Sequence, residues 1–296
     1  MLRIGIVGAD SFHALAFSKL ANLPPEHGGS GLSARVTMLW GEMPQRAAFV
    51  ASEAHIPTVV DDPAQMLDQV DAVIVVLRHG AQHCAAALPF LQRGLPTWVD
   101  KPFAIDLNEA LCMVDTARVS GALLAGGSAC KYAPDVLALR DDFRRLGEKK
   151  QVISAHLNFP GELDSPYGGL YFYGSHAVEI LTTAFGPNIQ SVKADVTGGN
   201  VIAIFKYENF AVSVNFAEVS QFYGTLYSPE QVITRRIDIS SIYRQGFSAF
   251  VKGVSAGRAP EPMHALLRPV CILNALVKAA ETGLETPVQR VSDQYL

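Results

Sequence analysis

A turn near the start of the chain has the residue types of an anion-binding site. It follows LRIGIVG (residues 2–8), a β-branched apolar run that ends in glycine, and it precedes an Ala/Leu-rich stretch at helical spacing, about residues 14–23. The residues at this turn are Gly8, Ala9, Asp10, Ser11, Phe12 and His13. Where a strand passes directly into a helix, the free N–H groups and the positive end of the helix dipole attract a phosphate.

The residues alone leave two interpretations of this turn open. Dinucleotide-binding folds place GxGxxG here, whereas this chain keeps only Gly8 and has Asp10 and His13 at the other two glycine positions. In the first interpretation, Ser11 and the helix N-terminus hold a pyrophosphate, which the place of this strand as the first of a series favours. In the second, Asp10 and Ser11 only cap the helix, and the repulsion between a carboxylate and a pyrophosphate favours that.

Charged residues follow the second and third predicted strands. Glu42 comes after VTMLW (36–40), where dinucleotide folds carry an acid for the ribose hydroxyls, and a solvated surface glutamate is the alternative. Arg78 and His79 come after DAVIVVL (71–77), where cations can hold an anionic substrate or cofactor phosphates, and surface solvation is again the alternative. No arginine directly after the second strand indicates a 2′-phosphate site, so NAD and NADP both stay open.

A lysine follows the fourth predicted strand. PTWVD (96–100) continues directly into Lys101, at the carboxyl end of the strand, and open α/β sheets bind their ligands at that edge. Lys101 is therefore a candidate for contact with a bound ligand. The alternative is a strand-end lysine that pairs with Asp100 at the surface.

Alternating strand-like and helix-like segments must position these residues. The strand-like runs are 2–8, 36–40, 71–77 and 96–100, and the helix-like runs are about 14–23, 44–55, 81–94 and 106–119. This alternation predicts a parallel sheet, and runs such as VIVVL are typical of strands that are buried on both faces. We predict a Rossmann-type dinucleotide-binding domain over residues 1–125, closed by the apolar stretch GALLAGGS.

The second part of the chain has a different pattern. Apolar and period-two runs occupy residues 151–159, 191–196, 200–208 and 210–219. Successive strands without intervening helices predict a mainly antiparallel sheet, with a hairpin at Glu208-Asn209. The last long helix, about residues 264–281, is apolar enough to pack back on the first domain. Residues 126–296 are therefore predicted to form an α+β domain, within an α/β protein overall.

Composition excludes several classes of partner. With 24 basic and 28 acidic residues, the net charge of −4 gives no reason to expect nucleic acid or a membrane as a partner, so a small molecule is expected. Neither a signal-like apolar region nor a membrane span is recognisable, which predicts a cytoplasmic protein. His176 and Glu179 lack a third ligand, so no metal site is predicted. Scattered cysteines without CxxC spacing predict buried, reduced thiols; they are Cys84, Cys112, Cys130 and Cys271.

Three segments carry a resemblance that extends over essentially the whole chain. The stretch VDAVIVVLRHGAQHCAAALPFLQRGLPTWVDKPFA (70–104) ends in a sequence similar to a Glu-Lys-Pro motif, with Asp100 in place of the glutamate, and has His83 where histidine is common. SACKYAP (128–134) resembles an Arg-Tyr-x-Pro turn, and GGLYFYGSHAVEIL (168–181) resembles a Gly-x-His-x-x-Asp segment. These segments resemble the oxidoreductase family named after glucose-fructose oxidoreductase, inositol dehydrogenase and a rhizopine-catabolism protein.

The resemblance implies a Rossmann domain followed by an open-faced antiparallel sheet, through which such proteins form dimers or tetramers. It implies NAD or NADP as cofactor and hydride transfer to or from a sugar, polyol or related carbonyl compound. Lys101 would stabilise charge on the reacting oxygen and His176 would transfer the proton, which places the reactive centre between them. The implied cofactor-binding residues are Gly8, Ala9, Asp10, Ser11, Phe12, His13, Glu42, Arg78, His83, Asp100 and Lys101, and the implied substrate-binding residues are Lys101, Tyr132, Tyr171, His176 and Glu179.

Phe172 departs from the family pattern. It stands four residues before His176, where the family has a catalytic aspartate, and a phenyl ring cannot accept a proton. Tyr173 or Tyr171 could supply a phenol instead, within an aromatic cluster that lines a pocket or belongs to the core, and His176 could itself be a packed core residue. A catalytically silent ligand-binding or regulatory relative therefore stays open beside the dehydrogenase. A lyase or hydrolase that uses bound NAD internally is a third possibility.

Overall fold

The computed structural model describes residues 1–148 and 152–295, and these form two compact units. The first unit comprises Met1–Gly127 and Tyr243–Leu266, and the second comprises Ser128–Ile242 and Leu267–Leu296. The chain leaves the first unit close to the boundary predicted at residue 125. It returns to that unit ahead of the last helix, so neither unit is continuous in sequence.

A parallel sheet forms the centre of the first unit. Its strands are β1 (Leu2–Val7), β2 (Ala34–Trp40), β3 (Thr58–Val59), β4 (Ala72–Val75), β5 (Thr97–Val99) and β6 (Leu124–Gly126). They lie in the order β3-β2-β1-β4-β5-β6, and every pair is parallel. All residues of β4 and β5 are buried, as expected of central parallel strands. The predicted parallel sheet is confirmed, although β3 was missed because two residues leave no recognisable pattern.

Helices connect these strands and begin where the sequence supplies caps. The helices are α1 (Phe12–Asn22), α2 (Pro44–Glu53), α3 (His83–Gln92) and α4 (Leu107–Ser120). Pro44 occupies the first position of α2, where its missing N–H costs nothing, and the Asp106 side chain accepts the Asn108 N–H to cap α4. Gly121 ends α4 in the left-handed conformation, with a φ of 74°. Local signals therefore set the ends of the helices on which the site depends.

The second unit is built on a mixed sheet. In chain order, the remaining elements are α5 (Pro134–Glu148), β7 (Ser154–Phe159), α6 (Leu170–Phe185), β8 (Ser191–Thr197), β9 (Asn200–Lys206), β10 (Ala211–Phe216), β11 (Phe222–Tyr227), β12 (Val232–Ile237), α7 (Ile242–Ala256), α8 (His264–Thr282) and β13 (Thr286–Pro287). Short 3-10 turns lie at Pro25–His27, Pro63–Met66, Gly80–Gln82, Ala129–Tyr132 and Asp293–Tyr295. The strand order is β12-β11-β7-β10-β9-β8-β13.

This sheet confirms the predicted, mainly antiparallel arrangement. The hairpin joins β9 to β10 with Lys206 opposite Ala211, while β7 pairs with β10 in parallel. One face of β9 stays open, because Ile202 is 57% exposed and Ile204 is 39% exposed. Gln151, at the start of one predicted run, lies outside the described residues. Strands β11 and β12 were not predicted.

Helix α6 is buried around most of its circumference, which is typical of an apolar helix inside a domain. A Cβ added to Gly174 would lie 3.3 Å from the Leu273 Cδ1 atom, so the glycine lets α6 pack closely against α8. Two ionisable residues on this helix, His176 and Glu179, are carried into the interior. Buried polar groups require hydrogen-bond partners, which other elements of the second unit must supply.

Three of the four cysteines are buried, and all four are reduced thiols. Cys84, Cys130 and Cys271 follow the prediction of buried thiols, but it is wrong for Cys112, which is exposed on α4. Apolar neighbours in sequence do not bury a helical residue, because its depth is set by the helix face on which it lies. Burial raises the pKa of the Cys84 thiol to about 12.

Candidate functional site

The turn after β1 lies at the switch point of the parallel sheet. Strands β1 and β4 are neighbours, and the chain adds further strands outward from this pair in both directions. In open α/β sheets, the connections on the two sides of such a point diverge and leave a crevice at the carboxyl ends of the strands. Residues that follow β1, β2, β4 and β5 therefore share one ligand-binding edge.

Gly8 is required by the backbone of this turn. Its φ is 115°, and an added Cβ would lie 2.8 Å from backbone atoms of Val76 and Leu77. Ser11 caps α1, because its side chain accepts the His13 N–H at 3.1 Å. Phe12 is 61% exposed. Capping by Ser11 is thus confirmed, and its contact with a phosphate stays a prediction.

Asp10 ties this turn to the residue that follows β2 instead of capping α1. Its Oδ2 atom accepts the Glu42 N–H at 3.0 Å, and its carbonyl accepts the Arg78 Nε–H at 2.9 Å. Gln82 donates to the Glu42 carboxylate at 2.9 Å. The Asp10 side chain is buried, and its Oδ1 atom has no hydrogen-bond partner among the residues the structure describes. A buried carboxylate oxygen without a donor indicates a place for a ligand donor group.

His13, at the position of the third glycine, pairs with Asp100 at the end of β5. The His13 Nδ1 atom lies 2.5 Å from Asp100 Oδ2, and the two side chains are 12% and 3% exposed. The Tyr243 ring lies 4.7 Å from the His13 ring, between centroids. Burial alone raises the pKa of the Asp100 carboxyl, but the charge and hydrogen bond of His13, together with the Lys101 charge, outweigh it and lower that pKa. Asp100 is therefore held as a carboxylate.

Replacing Asp100 by asparagine is expected to destabilise the protein by about 3 kcal/mol at neutral pH, since it leaves His13 and Lys101 beside a neutral group. Because the folded-state pKa is depressed, the carboxylate contributes stability above the unfolded-state pKa of about 3.9, and this contribution is lost as the pH falls through the folded value. The free energies of unfolding of wild type and Asp100→Asn, measured in urea, should therefore begin to converge as the pH falls below about 4. A constant difference down to pH 3 would contradict the role of the Asp100 charge.

Lys101 is buried, so its interpretation as a surface lysine is wrong: it is 5% exposed. The Lys101-Pro102 peptide bond is cis. His83, fully buried on α3, holds this segment in place, with Nδ1 at 2.7 Å from the Pro102 carbonyl and Nε2 at 2.9 Å from the Leu77 carbonyl. Burial lowers the pKa of His83. The contacts thus assign His83 to the support of the lysine segment.

A second cluster surrounds His176 in the second unit. The His176 Nδ1 atom lies 2.6 Å from the Ser128 Oγ and 3.4 Å from the Cys130 Sγ. Glu179, one turn further along α6, accepts the Ser128 N–H at 3.1 Å and lies 3.7 Å from the Lys131 Nζ. All five side chains are buried. His176 is therefore a member of a buried polar network, which an isolated core histidine would not be.

Aromatic rings border this network. The Tyr173 and Phe159 rings lie 6.3 and 5.9 Å from the His176 ring, and Phe172 packs edge-on against Tyr173 at 5.1 Å. Phe172 and its neighbours Tyr171 and Tyr173 are only partly buried. Tyr132 is also partly buried, with the Lys131 Nζ 5.6 Å from its ring. Partly exposed side chains can line a pocket. The predicted contacts of Tyr132 and Tyr171 with a substrate stay predictions.

The structure brings the predicted residues together in two groups. The first unit holds Gly8 to His13, Glu42, Arg78, His83, Asp100 and Lys101, and the second holds Tyr132, Tyr171, Tyr173, His176 and Glu179. The juxtaposition of Lys101 with His176 stays a prediction. Sequence analysis missed Ser128, Lys131 and Tyr243. Lysine at the arginine position of the SACKYAP segment was a signal for Lys131, whereas nothing in the sequence singled out Tyr243.

Two kinds of site are absent from the described part of the chain. Within residues 1–148 and 152–295, no group of three or more His, Cys, Asp or Glu side chains could hold a metal ion. In the same ranges, no helix combines the length and apolar character needed to cross a membrane.

Comparisons with known proteins agree with this geometry. Residues 2–128 match the oxidoreductase family with an NAD-binding Rossmann fold. A putative UDP-kanosamine synthase oxidoreductase subunit from Amycolatopsis mediterranei is 25% identical over 280 residues, which cover 84% of this chain and 75% of the relative. The NADP(+) scyllo-inositol 2-dehydrogenase of Bacillus subtilis is 20% identical over 220 residues, covering 67% of this chain and 65% of the relative.

Solved structures extend the likeness of the fold to the second unit. The myo-inositol dehydrogenase of Lactobacillus casei, solved with NAD(H) and myo-inositol, superposes with a TM-score of 0.82 at 12% identity, covering 99% of this chain and 98% of that one. At this identity the likeness concerns the fold alone. The match over residues 2–128 and the strand order lead to one conclusion: residues 2–128 have the NAD-binding Rossmann fold of this oxidoreductase family.

Proposed function

We propose that the protein is an NAD-dependent dehydrogenase that interconverts a secondary alcohol of a sugar or polyol and the corresponding carbonyl compound. The observation that carries the proposal is the burial of Lys101 beside Asp100 at the ligand-binding edge of the Rossmann sheet. A buried amine at this edge has a role that a solvated lysine lacks, since it can stabilise negative charge on a reacting oxygen where water is excluded. The names of the relatives support a sugar or inositol as the class of substrate.

The residues of the first unit fit a bound dinucleotide. Gly8 allows close approach of the backbone, Ser11 presents the N-terminus of α1, and Asp10 offers a buried acceptor without a donor. Glu42 and Arg78 complete the group that would hold it. The nicotinamide, when bound, supplies or accepts the hydride.

The chain's own residues supply the remaining chemistry. Lys101 donates a hydrogen bond to the alcohol or carbonyl oxygen and stabilises the charge that develops there. His176 accepts the alcohol proton on oxidation and returns it on reduction. Tyr132, Tyr171 and Tyr173 contact the apolar faces of the substrate, and Glu179 acts indirectly by holding Ser128 and Lys131.

The acidic pair at the edge of the first unit predicts a preference for NAD over NADP. A 2′-phosphate would add negative charge close to Glu42 and Asp10, so NAD is expected to bind at least about tenfold more tightly than NADP, or about 1.4 kcal/mol. Titration monitored by tryptophan fluorescence can measure this, because Trp40 ends β2 beside Glu42. Glu42→Gln should reduce the ratio of the NADP dissociation constant to the NAD dissociation constant. Glu26→Gln, an equal change of charge in the Pro25–His27 turn, should leave that ratio unchanged. Tighter binding of NADP than of NAD would contradict the proposed effect of Glu42 and Asp10 on cofactor preference.

The proposed reaction is tested by incubating the protein with NAD and a panel of inositols, aldoses and nucleotide sugars while absorbance of the reduced nicotinamide is followed. Formation of reduced cofactor with at least one member is expected. Failure of both NAD and NADP to bind would overturn the proposal.

Phe172 favours a second candidate, a ligand-binding or regulatory relative without turnover, because it removes the carboxylate expected before His176. The same experiments distinguish the two. Binding of both a cofactor and a polyol, with no hydride transfer in either direction, would support the silent relative.

A further inference from the structure

The Nδ1 atom of His176 has a polar partner that does not come from its own helix. Phe172 occupies the preceding turn of α6 and offers no acceptor to the imidazole. Instead the Ser128 Oγ, in the segment before the Ala129–Tyr132 turn, lies 2.6 Å from Nδ1. The second unit therefore supplies at Nδ1 a hydroxyl oxygen from a different part of the chain.

Ser128 is held at both its side chain and its main chain. Its Oγ accepts the Cys130 N–H at 3.1 Å and so caps the 3-10 turn, while its own N–H donates to Glu179 Oε1 at 3.1 Å. The side chain is fully buried. Because Glu179 lies on the same helix as His176, the serine is anchored by the element whose histidine it contacts.

We propose that Ser128 is the positioning residue of His176, and that it takes over the orienting part of the role the missing carboxylate has in the family. At 2.6 Å either atom of the Ser128–His176 contact can be the donor; in the proposed arrangement the Nδ1–H of His176 donates to the Ser128 Oγ, which also accepts the Cys130 N–H. The Nε2 atom then keeps its own lone pair and can accept a proton from an alcohol. In the other tautomer, Nε2 carries the hydrogen and cannot act as a base.

A hydroxyl differs from a carboxylate in a way that suits this buried place. It orients the ring through a hydrogen bond without adding a second negative charge beside Glu179, whose carboxylate already lies 3.7 Å from the single Lys131 ammonium. Ser128 thus orients the histidine while the charge of the Glu179–Lys131 pair stays balanced.

The direct test is the tautomer of His176 in the protein without substrate, so it does not depend on the proposed function. In protein labelled with ¹⁵N-histidine, two-dimensional NMR distinguishes protonated from unprotonated ring nitrogens, and His176→Gln identifies the signals. At a pH where the ring is neutral, we expect a protonated Nδ1 and an unprotonated Nε2. A wild-type His176 that carries its hydrogen on Nε2 would overturn the proposal, whatever the activity.

The kinetic part of the inference rests on the proposed function. Ser128→Ala should lower kcat about 10- to 100-fold with little change in KM, as part of the 10²- to 10⁴-fold that general acid–base catalysis contributes. Ser128→Thr keeps the hydroxyl and should restore most of kcat. Ser165→Ala is the matched control, because Ser165 is a buried serine of the same unit whose Oγ has no partner among the described residues. If Ser128→Ala keeps both full kcat and the wild-type tautomer, Ser128 has no positioning role.

Discussion

Replacing Lys101 by methionine is expected to lower kcat by about 10²- to 10³-fold, the loss usually measured when one donor to a developing oxyanion is removed. Methionine keeps much of the length of the lysine side chain and its burial, so the change removes the charge and the hydrogen bond but little volume. Asp100 keeps His13 as a partner in the variant, and the segment keeps its contact with His83. The affinity for NAD, measured by fluorescence titration, should therefore change less than kcat.

Lys19→Met is a suitable control for the loss of one positive charge from the first unit. Lys19 lies on α1 in an exposed pair with Glu53, at 2.8 Å, and such surface pairs contribute little to stability because water and salt screen them. The kcat of the Lys19→Met variant should equal that of the wild type. Full activity of Lys101→Met in steady-state assays would remove the lysine from the proposed mechanism.

His176→Gln should lower kcat by about 10²- to 10⁴-fold, because glutamine retains hydrogen-bonding capacity but cannot transfer the proton. The Ser128 hydroxyl and the Cys130 thiol lose the imidazole that they contact, so a modest loss of stability is also expected. Thermal unfolding measured beside steady-state kinetics separates the two effects. A folded variant with greatly reduced kcat and intact NAD binding is the expected result.

His156→Gln is the matched control for the loss of a histidine from the second unit. His156 lies on β7, is hydrogen-bonded to the Ser213 Oγ at 2.9 Å, and has no part in the proposed chemistry. It should retain wild-type kcat. Equal activities of the His176 and His156 variants would mean that another group transfers the proton, with Tyr173 the first to test, since its ring lies 6.3 Å from that of His176.

Local patterns were sufficient to predict the framework that carries these residues. Buried apolar runs such as Ala72–Val75, alternating with helical segments, predict a parallel sheet because each signal depends on residues adjacent in the chain. Strand β11 escaped prediction because it lacks such a local signal. In FYGTLY the buried residues Gly224, Thr225 and Leu226 are consecutive, so burial there does not alternate and gives no period of two.

The support of the site was less accessible from sequence. The motif around Lys101 indicated a lysine at the edge of the sheet, but the interaction of its neighbour Asp100 with His13 joins residues 87 positions apart. Sequence alone interpreted His13 as a missing glycine, whereas in the folded chain it is the hydrogen-bond partner of a buried carboxylate. Similarly, Ser128 and His176 are 48 positions apart and meet only because α6 packs against the Ala129–Tyr132 turn.

The amino-acid sequence by itself indicated the resemblance to the family, the order of most strands and helices, and the identity of Lys101 and His176 as candidate reactive groups. These properties follow from periodicity, caps and short motifs, all of which act over a few neighbouring residues. Only the tertiary structure decided that Lys101 is buried, that Asp10 contacts the residue after β2, and that a serine faces His176 where an aspartate was expected. The partners of a buried polar group depend on which elements pack together, and that packing is a property of the whole fold.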